Sequence, residues 1–203
     1  MEESKTIQIP VKGNFSLNKV KMLKDGGLDV HYEVTEVIGT ESYRNHYHLD
    51  SAKDVHPDLR ALFDNLRPIM GRMFNITSFL SMVEAKEFKA TKEQQNKARD
   101  FADEALKNIE ARGIALSGSD DNLGVILTGL FTVSNNLKTA INTPRIKLSS
   151  VSFGFEEELE AIVSDIENEV YEFLFHGKKA QLELFDGNCE PTEEATGDLP
   201  WNE

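Results

Sequence analysis

One cysteine in 203 residues, Cys189, excludes a disulfide framework within the chain and fits a reducing compartment. Long apolar runs are missing as well. The richest stretch, GVILTGLFTV at 124–133, is short and broken by Gly129 and two threonines, well under the roughly 20 residues that span a bilayer. The opening MEESKTIQIPVKG has no apolar segment of the kind a secretory signal carries, so the expected location is the cytoplasm, with no membrane partner. Basic charge is scarce: 22 Lys and Arg face 35 Asp and Glu. The formal net charge of −13 argues against tight, indiscriminate binding to duplex DNA, which needs clustered cations.

Catalytic templates are absent too. Gly118 and Gly124 flank acids, where a phosphate loop needs a Lys-Ser or Lys-Thr pair, and no Gly-x-Ser-x-Gly elbow occurs. Cys189 lies in a polar tail, a poor setting for a nucleophile, and Asp120-Asp121 reads as turn chemistry. The expectation is a non-enzymatic protein without a cofactor.

What charge there is lies unevenly. Residues 181–203 hold seven acids (Glu183, Asp186, Glu190, Glu193, Glu194, Asp198, Glu203) and no Lys or Arg; the first 180 residues carry 22 bases against 28 acids, a net −6. Within 12–24 there are four lysines and no acid. A mildly basic front is followed by a strongly acidic end.

Hydrophobic periodicity divides the chain. Residues 14–39 read as a β-hairpin: Phe15, Leu17 and Lys19 alternate with polar positions, Asp25-Gly26-Gly27 supplies the turn, and Leu28, Val30, Tyr32, Val34 and Val37 return. Residues 41–50 suggest a third strand, with Tyr43, Tyr47 and Leu49 on one side and Arg44, His46 and His48 on the other. Pro57 suits a first helical position ahead of the stripe Leu59, Leu62, Phe63 and Leu66, and Pro68 ends or kinks that helix. Residues 76–83 support no assignment. Thr91-Lys92-Glu93-Gln94 is a capping box, followed by helical spacing at Ala98, Phe101, Ala105, Leu106 and Ile109 on a mostly polar helix. From Arg112 strand patterns return around the turns at 120–122 and 134–136. Residues 155–175 form the clearest helix, with Glu156–Glu158 in its first turn and Gly177 past its end.

The expected fold is α+β: antiparallel β-meanders each followed by a helix, a possible distant internal repeat, in one domain over 5–177. Residues 178–203 are a C-terminal peptide and an acidic tail of disordered composition.

Within that end sits Gln181-Leu182-Glu183-Leu184-Phe185. It resembles the linear peptide by which bacterial DNA polymerases, mismatch-repair proteins and other replication factors bind the replicative sliding clamp. Gln181, Leu182, Leu184 and Phe185 match at every fixed position. An extended segment of this kind sets Leu184 and Phe185 into an apolar pocket while Gln181 makes polar contacts. The same residues also suit a closing β-strand, with Leu182 and Leu184 inward. Asp198, Leu199, Pro200 and Trp201 look like the acidic, partner-binding tip of bacterial single-stranded DNA-binding proteins; here Asn202 and Glu203 follow the aromatic.

Two further groupings carry chemistry. Lys12, Lys19, Lys21, Lys24 and Arg44 with Tyr32, Tyr43 and Tyr47 have the composition of a single-strand groove, cations beside stacking aromatics. Strand lysines and aromatics equally serve edge protection and core. His46 and His48, two apart on a strand, face one way, with Asp50, Asp54 or His56 near in sequence. With no Glu or Cys at a recognised ligand spacing, surface or capping histidines are expected there and no metal.

The chain as a whole is similar to small accessory proteins of bacteriophage and prophage DNA metabolism. That resemblance implies a replication or recombination accessory factor that contacts single-stranded DNA or a replication protein and recruits the sliding clamp. A protein sequestering a host factor or a nucleotide signal is the alternative, and a hydrolase built on His46 and His48 a third.

Overall fold

The computed structural model describes residues 9–84, 89–133, 136–152 and 154–178. Its first half is an antiparallel meander of β1 (Phe15–Met22), β2 (Leu28–Ile38) and β3 (Glu41–Ser51). The β1–β2 reversal uses the expected glycines: Gly26 takes φ 88°, a value other residues resist, and the Leu23 amide donates to the Gly27 carbonyl at 2.9 Å. Helix α1 (Pro57–Asn65) then starts on a histidine cap, His56 Nδ1 accepting the Asp58 amide at 3.2 Å. Pro68 lacks an amide proton, and the apolar stripe is accordingly cut into α1 and α2 (Arg67–Met73).

The stretch without an assignment contributes α3 (Ser78–Glu84). α4 (Lys92–Leu106) has its capping box: Thr91 Oγ1 accepts the Gln94 amide and Gln94 Oε1 accepts the Thr91 amide. This helix hardly enters the core. Ala102 is its one buried residue among those described, and Phe101, edge-on to Phe79, stays 66% exposed. Ile109, which continues the helical spacing in sequence, belongs instead to the next strand.

The second half repeats the plan. β4 (Ile109–Ser117), β5 (Gly124–Thr132) and β6 (Lys138–Asn142) form a second meander, β7 (Ile146–Lys147) pairs with β5, and α5 (Glu156–Phe175) closes the unit. The strands form one antiparallel sheet in the order β3-β2-β1-β4-β5-β6, a palindrome whose centre is the β1–β4 pair. Each half thus runs outward from its own first strand, so the repeat is visible as topology.

Both first strands carry an irregularity at the same place. Register shifts lie between Leu17 and Lys19 in β1 and between Ala111 and Gly113 in β4. A bulge adds one residue and so inverts the alternation beyond it. Simple alternation puts Lys19 with Phe15 and Leu17; the bulge turns Lys19 to the other face and brings Val20, 0% exposed, inward. In β4 the same device sends Gly113 out and Ile114 in. Beside the first bulge the Leu17 amide donates to Glu167 of α5 at 3.0 Å, so it is not left unpaired.

Among the described residues the core packs on one side of the sheet. Leu59, Phe63 and Met70 from α1 and α2 with Leu66 between those helices, and Leu159, Val163, Ile166 and Val170 from α5, share one spacing and meet Leu17, Val20, Val30, Ile114 and Leu127 in a single cluster. Each such buried side chain contributes roughly 2 kcal/mol. Tyr171 donates its hydroxyl to the Pro10 carbonyl at 2.6 Å, tying the last helix to the start of the described chain. Among the described residues the opposite face has no such cover: Lys19, Ala115, Thr128 and Leu130 are half-buried, and Lys21, Ala140 and Asn142 are exposed. Among the described residues no helix is long and apolar enough to cross a membrane.

Candidate nucleic-acid interface

The open face is concave where the two halves meet. A trough of about 500 Å³ crosses β1, β4, β5 and β6, lined among others by Lys19, Lys21, Lys24, Arg112, Leu130 and Asn142. The bulges create its charge. Asn18 and Lys19 both point to this side, as do Arg112 and Gly113, so cations stand either side of the β1–β4 seam. Cross-strand pairing sets Lys19 opposite Ala115 and Lys21 opposite Gly113. Small partners leave the lysine stems room over the floor, which Ala115, Leu130 and Ala140 make apolar.

Two of the four lining cations are already engaged. Lys19 Nζ lies 2.7 Å from Asp29 Oδ2, and the Arg112 guanidinium lies 2.6 Å from Glu110 Oε1. Lys138 holds the other Glu110 oxygen at 2.8 Å. Lys21 and Lys24 make no ion pair among the described residues. Burial pushes the Glu110 carboxyl upward, but hydrogen bonds from Lys138 and Arg112 outweigh it and hold the group below the ordinary carboxylate range. The trough is therefore a local excess of positive charge on an acidic protein.

The residues that the sequence groups as a single-strand groove are divided by the sheet. Lys19, Lys21 and Lys24 line the trough, and Arg44, paired in register with Thr35, shares their face farther out on the β2–β3 hairpin. Tyr32 and Tyr47 stack at 5.1 Å on the helix side, where Phe15 and Phe175 meet Tyr32. Tyr43 follows Tyr47 in register and donates its hydroxyl to Glu41. Tyr32 and Tyr47 border a second hollow of about 430 Å³ with Ile9, Val11, Val37 and Phe175, not the basic one. Lys12 sits in a short 3-10 turn (Lys12–Asn14), exposed and outside the trough. Arg112 and the apolar floor had no sequence signal, because only the pairing of the two halves brings them beside β1.

The histidines are also regrouped. His46 turns to Glu33, Nδ1 to Oε1 at 3.3 Å, and does not join His48. His48 lies in register with His31, their rings stacked at 4.1 Å with planes 12° apart. Both Nε2 atoms reach Asp29 Oδ1, at 3.2 Å from His31 and 3.1 Å from His48. Burial pushes Asp29 upward, yet Lys19, then His31 and His48, hold its carboxyl below the usual range. Asp54 pairs with Arg60, and His56 caps α1, so neither belongs to this group.

The peptide Gln181, Leu182, Leu184 and Phe185, the tip Asp198, Leu199, Pro200 and Trp201, and Cys189 lie outside the described residues. Compared with known protein families, curated proteins and solved structures, the chain matches none.

Proposed function

We propose that this protein is a non-enzymatic DNA-replication or recombination accessory factor of the phage type. It holds single-stranded nucleic acid across the open face of its sheet and recruits the bacterial sliding clamp through residues 181–185. The observation that carries the reading is the trough lined by Lys19, Lys21, Lys24 and Arg112 on an otherwise acidic chain. Phosphates take the cations at its walls, and unpaired bases lie over Ala115, Leu130 and Ala140. Contact through four cations makes binding moderate and salt-sensitive, and the overall negative charge disfavours duplex.

The test has two arms. Fluorescence anisotropy with an oligothymidylate, on intact protein and on Lys21→Glu/Arg112→Glu, reads the trough; equal affinity for the two proteins refutes it. Pull-down from bacterial lysate with Leu184→Ala/Phe185→Ala reads the peptide; recovery of the clamp by both preparations refutes that arm.

One observation favours a second reading. A trough of about 500 Å³ lies within the range of small-ligand sites, which suits sequestration of a nucleotide signal. Saturable binding of a mononucleotide or cyclic dinucleotide, with no oligonucleotide affinity, selects that reading over the first.

A further inference from the structure

We infer that Asp29, His31 and His48 form a binding site for a divalent transition-metal cation of the Zn²⁺ class on the open face of the β2–β3 hairpin. Two imidazole nitrogens and one carboxylate oxygen converge there. The distances from Asp29 Oδ1 to the two Nε2 atoms, 3.2 and 3.1 Å, match the roughly 3.3 Å between ligands on a tetrahedral ion with bonds of about 2 Å. The donor set selects the metal. Imidazole with one carboxylate suits Zn²⁺, Ni²⁺ or Cu²⁺, whereas Mg²⁺ and Ca²⁺ prefer all-oxygen shells.

The fold supplies the site in three ways. β2–β3 pairing puts His31 and His48 directly opposite, so the strands fix their spacing. Lys19 Nζ holds Asp29 Oδ2, which leaves Oδ1 turned toward the imidazoles as an oriented ligand. The His31 and His48 side chains are 41% and 53% exposed, so water completes the coordination and the rings have space to turn. Turning is needed, because stacked rings point their lone pairs in parallel and a bound ion draws them together. A second cluster, His56, Asp58 and Glu169, lacks this character: Lys178 Nζ bridges Asp58 at 2.9 Å and Glu169 at 2.8 Å, so an ammonium already occupies its centre.

The experiment is calorimetric titration of the chelator-treated full chain with Zn²⁺ alone, in a Cys189→Ser background that removes its one thiol. The expected result is one ion per chain. His31→Ala and His48→Ala each weaken binding by roughly tenfold or more, and His46→Ala, whose ring serves Glu33, leaves it unchanged. Co²⁺ in place of Zn²⁺ gives a visible absorption band that the same two variants abolish. Neither histidine belongs to the core cluster, so both variants should fold, with circular dichroism as the check. Absence of Zn²⁺ uptake, or uptake that His31→Ala and His48→Ala leave intact, overturns the inference and leaves the cluster as a histidine–carboxylate contact on the sheet surface. Neither outcome depends on nucleic acid, so this test and that of the proposed function fail separately.

Discussion

Salt dependence offers the most quantitative check on the trough. A protein that neutralises phosphates of a single strand loses affinity with a log–log slope of about −0.7 per phosphate. Four cations line the hollow, but Lys19 and Arg112 each face a carboxylate at 2.6–2.7 Å and give phosphate less than a full charge. With Lys21 and Lys24 alone acting, the slope is about −1.4; with all four it is about −2.8. Between 50 and 200 mM salt, these limits correspond to affinity losses of about sevenfold and about fiftyfold. Anisotropy titrations of a labelled oligothymidylate over that range should therefore give a slope inside the two limits. Lys21→Ala, which removes a cation with no ion pair among the described residues, should make it shallower by about 0.7. A flat profile, or a slope that Lys21→Ala does not change, refutes the assignment of phosphate contact to this face.

Two further outcomes follow from the sheet. Gly113 sits at the seam, where an added Cβ collides with the Val20 carbonyl oxygen and comes within 2.9 Å of Lys21 Cα. Gly113→Val should cost about 2 kcal/mol in denaturant unfolding and reduce oligonucleotide binding; unchanged stability rejects the seam as drawn. The Asp29 carboxyl is held below its ordinary range in the folded protein, so its contribution to stability is present above about pH 4 and is lost as pH falls further. Asp29→Asn should flatten that acid-side loss, read as the denaturant midpoint against pH; parallel profiles for the two proteins reject it.

The sequence made most elements legible, because their signals are local. Asp25-Gly26-Gly27 marks the first reversal, Pro57 and Pro68 bound two helices, and Thr91 with Gln94 caps a third. The bulges at Asn18 and Arg112 were not legible, since one extra strand residue leaves no mark on composition. That single effect accounts for the wrong side given to Lys19. It also explains the divided groove: alternation puts Tyr32 and Tyr47 with the core side, and the lysines escape to the other. The His31–His48 pair escaped because strand register, not sequence spacing, creates it. Arg112 reaches Lys21 only through contact between halves that the sequence does not show to be alike.

The β1–β4 junction rests on three residue pairs, Lys19 with Ala115, Val20 with Ile114 and Lys21 with Gly113. A chain severed into its two meanders would leave β1 or β4 with a bare edge seeking an antiparallel mate. A twin of the same fragment supplies one, related by a two-fold axis through the join. The intact molecule is, in that sense, a dimer written on one string, and the N-terminal fragment with α1 and α2 should self-associate where the parent stays solitary at this edge.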